Sequence, residues 1–227
     1  MRDVLLFDID GTLADTDALH FEAYRRMLAK HGKTIDHATY MSSVMGHTNE
    51  NIMAWMMPEA DLAGRRAFSD AKEAMFRELA ATSIVPAAGL MALIDWAEAK
   101  RIKIAAVTNA PRANAEMTLK ALRLDTRMAF VVIGDELPRG KPDPLPYATA
   151  LERFGAKPGQ AMAFEDSRSG VKSAVAAGID TVGMTTGLSK DVLMAEGAVG
   201  AVPNFADPWL IARLQAEYGS APTTKAA

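Results

Sequence analysis

Short unbroken apolar runs recur along the chain at residues 4–7, 102–107, 130–133, 161–164 and 181–184. Runs of this kind, without in–out alternation, mark strands buried on both faces of a parallel sheet. Between them, apolar residues fall at helical spacing. One set is Leu90, Leu93, Ile94 and Ala97; a second is Ala115, Thr118, Leu119 and Leu122. Tyr147, Ala148 and Leu151 follow the same spacing, as do Val171, Ala174 and Val175 less fully. Strand–helix–strand repetition predicts an α/β fold with a doubly wound, Rossmann-like parallel sheet.

Residues 8–101 break this rhythm, because no further strand appears there. Helical patterns cover 17–30 (Phe21, Tyr24, Met27 and Leu28 on one face), 36–44, 48–57 and 59–80. A last pattern at 90–100 leads directly into a strand and belongs to the sheet layer. A crossover helix needs only about a dozen residues, so the surplus is an all-helical insertion after the first strand. Pro86 to Gly89 reads as the return hinge, and Met41, Met45, Met53, Met56 and Met57 as adaptable core of the insertion. The small, polar stretch 219–227 is expected to fray.

Composition narrows the classes. A length of 227 residues corresponds to about 1.5 average domains, consistent with one domain carrying an insertion. The absence of cysteine excludes disulfide scaffolds, thiolate metal sites and cysteine nucleophiles. A net charge of −3 argues against nucleic acid as a partner. No apolar run is long enough for a membrane span, and the charged pair Arg2–Asp3 precedes the first run, so a cytoplasmic protein is expected.

Four clusters fall at predicted strand ends, where open α/β sheets place their chemistry. Asp8 and Asp10 leave the first strand two residues apart, before Gly11 and Thr12. Ionised together they repel, and a hard cation such as Mg²⁺ relieves this. Thr108 and Asn109 end the second strand with a hydroxyl, an amide and backbone N–H groups suited to an anion, or simply to a helix start. Lys141 stands before Pro142, which favours an extended conformation and leaves the ammonium free to meet a phosphate. Gly134 to Lys141 is not a P-loop: five residues, not four, separate its glycines, and Pro142 replaces the hydroxyl residue. Glu165 and Asp166 follow the fourth strand as further oxygen ligands, with Ser167 as an alternative helix cap. An acid pair, a hydroxyl, a lysine and a second acid pair in this order specify phosphoryl transfer at Mg²⁺.

These residues resemble the haloacid dehalogenase superfamily of phosphohydrolases over about residues 3–210. The resemblance implies that Asp8 attacks phosphorus, and that Asp10 protonates the leaving alkoxide and then activates water. It further implies that Thr108 and Lys141 hold phosphoryl oxygens. Mg²⁺ would be held by Asp8, the Asp10 carbonyl and Asp166, with Glu165 in support. Asp10 separates the chain from the dehalogenase branch, which lacks that acid, and from the phosphonatase branch, which usually has alanine there. The insertion is similar to the helical cap of the phosphoglycolate phosphatase and beta-phosphoglucomutase-like subgroup. That gives a catalytic core of 1–13 and 86–218, a cap of 14–85 and a tail of 219–227. Thr16 and His20 match the subgroup pattern, His20 being either a coupler of cap closure to Asp10 or a plain helix histidine.

Thr12 is a phosphatase-like residue where the mutase typically has valine. Asn49 lies near the place of the mutase arginine that holds a second phosphate. His47, Asn49 and Lys72 are candidate specificity residues, with a solvated surface position favoured for Lys72. The expectation is a Mg²⁺-dependent phosphatase of a small phosphorylated metabolite, a sugar phosphate foremost, with no obligate protein partner. A hexose-phosphate mutase, a phospho-accepting receiver and a non-catalytic sugar-phosphate binder are the alternatives.

Overall fold

The computed structural model describes residues 2–222. Six parallel strands form one sheet: β1 (Val4–Phe7), β2 (Lys103–Thr108), β3 (Val131–Ile133), β4 (Ala161–Glu165), β5 (Asp180–Met184) and β6 (Gly200–Val202). Their order across the sheet is β3-β2-β1-β4-β5-β6. The chain builds outward from β1 to β3, then restarts beside β1 with β4. The switch point between β1 and β4 is where such sheets open a crevice at their carboxyl ends.

Every residue of β1 is buried, which explains why its sequence does not alternate. Leu5 and Phe7 join one core layer with α5 (Leu90–Ala99), α6 (Arg112–Ala121) and α10 (Pro208–Tyr218). Val4 and Leu6 join the opposite layer with α7 (Leu145–Phe154) and α8 (Arg168–Ala176). Helix α9 (Lys190–Ala195) packs beside β6. The five predicted strands are all present, with ends shifted by at most a residue or so; β6, α9 and α10 are additional to the expected elements.

Between β1 and α5 the chain is helical as expected: α1 (Asp17–Ala29), α2 (His37–Ser43), α3 (Asn49–Met56) and α4 (Leu62–Ala80). These helices share their own apolar cluster, centred on Tyr24, Leu28, Tyr40, Ile52, Met53 and Phe68. Met53 is buried there, and Met41, Met45, Met56 and Met57 pack against that cluster. Helix α4 starts later than its apolar pattern because the Asp61 side chain accepts from Gly64 N at 2.8 Å, which fixes the first turn. Of the tail expected to fray, Ser220 and Ala221 lie against the core, where Trp96 Nε1 donates to Ser220 Oγ at 3.1 Å. Residues 223–227 lie outside the described residues. No helix among the described residues is long and apolar enough to cross a membrane.

Candidate active site

The carboxyl ends of β1, β2 and β4 bring Asp8, Thr108, Glu165 and Asp166 to one place, and the loop after β3 adds Lys141. All five are buried. Lys141 Nζ donates to Asp8 Oδ1 at 2.6 Å, to Glu165 Oε1 at 2.5 Å and to the Val107 carbonyl at 2.7 Å. All three ammonium hydrogens are thereby used. Tyr147 OH donates to Glu165 Oε1 at 2.7 Å, so Glu165 sits behind Lys141 and fixes it. A side chain at Gly170 would meet Glu165 Oε2 at 1.9 Å; the bare first turn of α8 lets this carboxylate lie under it. Ser167 is indeed the α8 cap, accepting from Gly170 N at 3.1 Å.

Asn109 takes a different part from that expected. Its Oδ1 accepts from Lys141 N at 3.0 Å and its Nδ2 donates to the Lys141 carbonyl at 3.1 Å. The amide is occupied in bracketing the lysine backbone rather than directed at an anion. Gly134 and Gly140 give it room, since a side chain on either would come within 2.7 Å of Asn109 Oδ1. The Lys141–Pro142 peptide is cis, a feature with no sequence signal beyond the proline itself. Thr108 Oγ1 accepts from Ala110 N at 2.9 Å, presenting the start of the loop to the cleft.

Electrostatics distinguish the two aspartates. Burial pushes Asp8 well above the ordinary carboxylate range against the pull of Lys141, and Glu165 adds repulsion. Asp166 is raised in the same way by burial and by the Asp8 charge. Lys141 is held charged, at about 12, because Asp8 and Glu165 outweigh its burial. Asp10 goes the other way. Burial opposes its ionisation, but hydrogen bonding and charge from His20, the Thr16 hydroxyl and Lys72 hold it below its usual value.

Asp8, Glu165 and Asp166 offer oxygens all within 4.8 Å of one another. One lysine cannot neutralise three carboxylates, and an oxygen-only donor set suits a hard divalent cation of the Mg²⁺ kind. Gly11, at φ +75°, is required beside them: a side chain there would meet Asp166 Oδ2 at 2.2 Å. Thr12 is buried against Asp166, with Oγ1 at 3.5 Å from Oδ1.

The helices α1 and α4 close the other side. Thr16 Oγ1 donates to Asp10 Oδ1 at 2.8 Å. His20 stacks on Phe76 at 3.7 Å between centroids, with Nδ1 at 3.1 Å from Lys72 Nζ and Nε2 at 3.5 Å from Asp10 Oδ1. Lys72 corrects the favoured surface reading. It is 3% exposed, donates to Glu73 Oε1 at 2.9 Å and lies 4.3 Å from the centre of the Tyr24 ring. Asn49 Nδ2 also donates to Glu73 Oε1, at 2.9 Å, whereas His47 is exposed at the rim of the cleft.

Sequence reasoning missed Glu73, Asn114 and Gly46. Glu73 Oε2 accepts from Asn114 Nδ2 at 2.6 Å, and Asn114 Oδ1 accepts from Arg77 at 2.8 Å, tying α4 to α6. The Gly46 carbonyl accepts from Ser169 Oγ, joining the loop between α2 and α3 to α8. An acid on an amphipathic helix gives no sign of burial; the adjacent lysine at 72 was the one available hint. Glu73 and Gly46, with Asp8, Asp10, Lys72 and Lys141, line a cleft whose open space, solvent included, is about 660 Å³.

Comparison with known proteins agrees with this geometry. A family model described as haloacid dehalogenase-like hydrolase matches residues 5–184. A phosphorylated carbohydrates phosphatase of Thermotoga maritima is 32% identical, over 88% of this chain and 94% of its own. A validoxylamine A 7'-phosphate phosphatase of Streptomyces hygroscopicus is 35% identical, over 82% and 87%. The crystal structure of CbbY from Rhodobacter sphaeroides in complex with phosphate superposes with a TM-score of 0.81 at 26% identity, covering 91% of this chain and 96% of that one. On the family match and the curated relatives together, the chain belongs to the haloacid dehalogenase-like hydrolases.

Proposed function

We propose that this hydrolase is a Mg²⁺-dependent phosphatase of a small phosphorylated metabolite, a sugar phosphate foremost, working through an aspartyl-phosphate. The observation that carries the reading is the buried Asp8, oriented by Lys141 and set beside an ionised Asp10 on the same turn. Asp8 and Asp166 would hold Mg²⁺ together with the Asp10 carbonyl, Glu165 lying behind them. When bound, the ion supplies positive charge against the transferred phosphoryl oxygens.

An Asp8 carboxylate oxygen forms a bond to phosphorus as the ester P–O bond breaks. Asp10 takes up a proton from solvent as the negatively charged ester arrives, and the departing alkoxide takes that proton from it. Asp10 then removes a proton from water, whose oxygen attacks phosphorus; the Asp8–phosphorus bond breaks and inorganic phosphate leaves. Thr108 and Lys141 bind phosphoryl oxygens, Lys141 exchanging one of its present bonds for the substrate. Residues 14–85 serve as a cap over the core formed by 1–13 and 86–218, excluding bulk water from the site while Asp8 attacks the ester. Thr16, His20 and Lys72 connect the cap to Asp10. Asn49, whose amide is engaged by Glu73, gives no cation for a second phosphate, which favours the phosphatase over a mutase. Cytoplasmic action without an obligate protein partner completes the reading.

The test is phosphate release from hexose and pentose phosphates, phosphoglycolate and nucleotides, with Mg²⁺ and with chelator. Release that needs Mg²⁺ and vanishes in Asp8→Asn is expected. Unchanged release in Asp8→Asn refutes the mechanism, and a product that keeps its phosphate at a new position turns the reading to a mutase.

A further inference from the structure

Five buried side-chain atoms among the described residues have no hydrogen-bond partner: Asp17 Oδ2, Tyr24 OH, Thr118 Oγ1, Arg213 Nε and Glu217 Oε2. Atoms of this kind are rare in folded proteins because each forfeits its hydration without replacement. Two of the five, on Asp17 and Tyr24, belong to residues lining the cleft that holds Asp8. Tyr24 is 1% exposed. The remaining three residues do not line it.

Asp17, His20 and Tyr24 occupy one face of α1, at positions i, i+3 and i+7. The middle one is committed to Asp10 and Lys72. Asp17 is half committed, since Oδ1 accepts from Tyr40 OH at 3.2 Å while Oδ2 bonds to nothing. The Tyr24 ring carries the Lys72 ammonium on its face, yet its hydroxyl is unused. Both lysines lining the cleft are already paired, Lys141 with Asp8 and Glu165, Lys72 with Glu73. Among the fully buried side-chain atoms of the cleft-lining residues, the open hydrogen-bonding capacity is therefore one carboxylate oxygen and one phenol. A carboxylate oxygen accepts and a phenol does both, a combination matched by alcohols rather than by a second anion.

We propose that Asp17 and Tyr24 are specificity-determining residues that bind hydroxyl groups of the substrate, which makes that substrate the monophosphate of a polyhydroxylated carbon skeleton. Asp17 Oδ2 accepts from one hydroxyl and Tyr24 OH bonds a second, while the phosphoryl group sits at Asp8. This rests on the phosphatase reading and extends it to the part of the substrate that does not react. A pocket built to hydrogen-bond a hydroxyl rejects analogues lacking it, because its own polar atoms stay unpaired.

The experiment compares kcat/KM for the best-turned-over member of a hexose and pentose monophosphate panel with that for p-nitrophenyl phosphate, an ester without alcohols. Wild type, Tyr24→Phe and Asp17→Asn are measured under identical Mg²⁺. Each variant is expected to lower the sugar-phosphate to p-nitrophenyl phosphate ratio about tenfold, the scale of one lost hydrogen bond of roughly 1.4 kcal/mol. Tyr24→Phe removes no bond of the fold, so its melting temperature should hold or rise. Equal losses on both substrates, or a ratio that does not move, overturn the proposal. Failure of the phosphatase reading has a separate signature: no Asp8-dependent hydrolysis of either ester, which removes both claims together.

Discussion

The ammonium of Lys141 donates to Asp8 Oδ1 at 2.6 Å across a separation of 133 residues, and the same nitrogen serves Glu165. One cation is therefore shared by two buried carboxylates, and among the described residues neither acid pairs with another cation. Removing one partner of a buried ion pair costs about 3–5 kcal/mol, because the charge left behind keeps its desolvation cost. Lys141→Met is expected to lower the melting temperature by about 10 °C and phosphate release by at least 100-fold. Thermal denaturation and turnover on the same preparation check this. A variant that melts like wild type shows that the lysine is not holding the carboxylates.

Thr16 and Asp10 supply a prediction with a pH signature. The Thr16 hydroxyl donates to Asp10 Oδ1 at 2.8 Å from a fully buried position, and Asp10 ionises below its ordinary value. A group with a depressed folded-state pKa contributes stability above its unfolded value, near 3.9, and loses it as pH falls through the folded value. Thr16→Val keeps the shape and deletes the bond, so it should cost about 1.5–3 kcal/mol at pH 7. That gap should shrink as pH falls below about 4. Urea denaturation of both proteins from pH 7 to pH 3 reads it; a gap constant across that range refers the loss to packing instead.

What was legible in the chain follows from locality. Val4 to Phe7 is buried on both faces by any sheet partner, so its continuous apolar run identifies it unaided. Asp8, Asp10 and Asp166 are legible because each sits just past a strand end, a place the pattern itself locates, whereas Lys141 lies in the loop eight residues beyond β3. Strand β6 has three residues and includes a glycine, too little to rise above its surroundings. Lys72 misleads for a related reason. Its burial depends on Glu73, Tyr24 and His20, which lie one, 48 and 52 positions away, and no local rule connects them. The bracketing of Lys141 by Asn109 is likewise a loop-to-loop relation that only the fold reveals.

Gly46 tests the docking of the helical segment on the sheet layer. At φ +75°, a side chain there would stand 2.7 Å from Ser167 Cβ and from Ser169 Oγ. Gly46→Ala should push the loop between α2 and α3 off α8, with kcat/KM on a sugar phosphate falling at least tenfold. Gly32, at φ +65°, has nothing within 4 Å of its added carbon. Gly32→Ala therefore brings the same left-handed strain, about 1–2 kcal/mol, without the collision. Both variants should melt a few degrees lower, and the activity loss should belong to position 46. Comparable kinetics in the two variants would remove docking as the cause.

The acidic trio predicts how Mg²⁺ and pH act on stability together. Burial and mutual repulsion raise Asp8 and Asp166 above the ordinary carboxylate range. A carboxylate with a raised folded-state pKa stabilises the fold below its unfolded value, near 3.9, and loses that contribution as pH rises through the folded value. The metal-free protein should therefore carry a growing penalty as pH rises above about 4 and these acids are forced to ionise in place. Mg²⁺ binds the ionised form and stabilises by mass action, about 2.7 kcal/mol at 100 times its Kd. The melting-temperature gain on adding saturating Mg²⁺ should be small at pH 5 and several degrees at pH 8. Asp166→Asn removes one of the two raised charges, so the metal-free variant should lose less stability over the same range and gain less from Mg²⁺ at pH 8. Differential scanning fluorimetry over a pH and Mg²⁺ grid measures both slopes. A Mg²⁺ gain that is flat with pH, or that persists in full in Asp166→Asn, places the ion somewhere other than this trio.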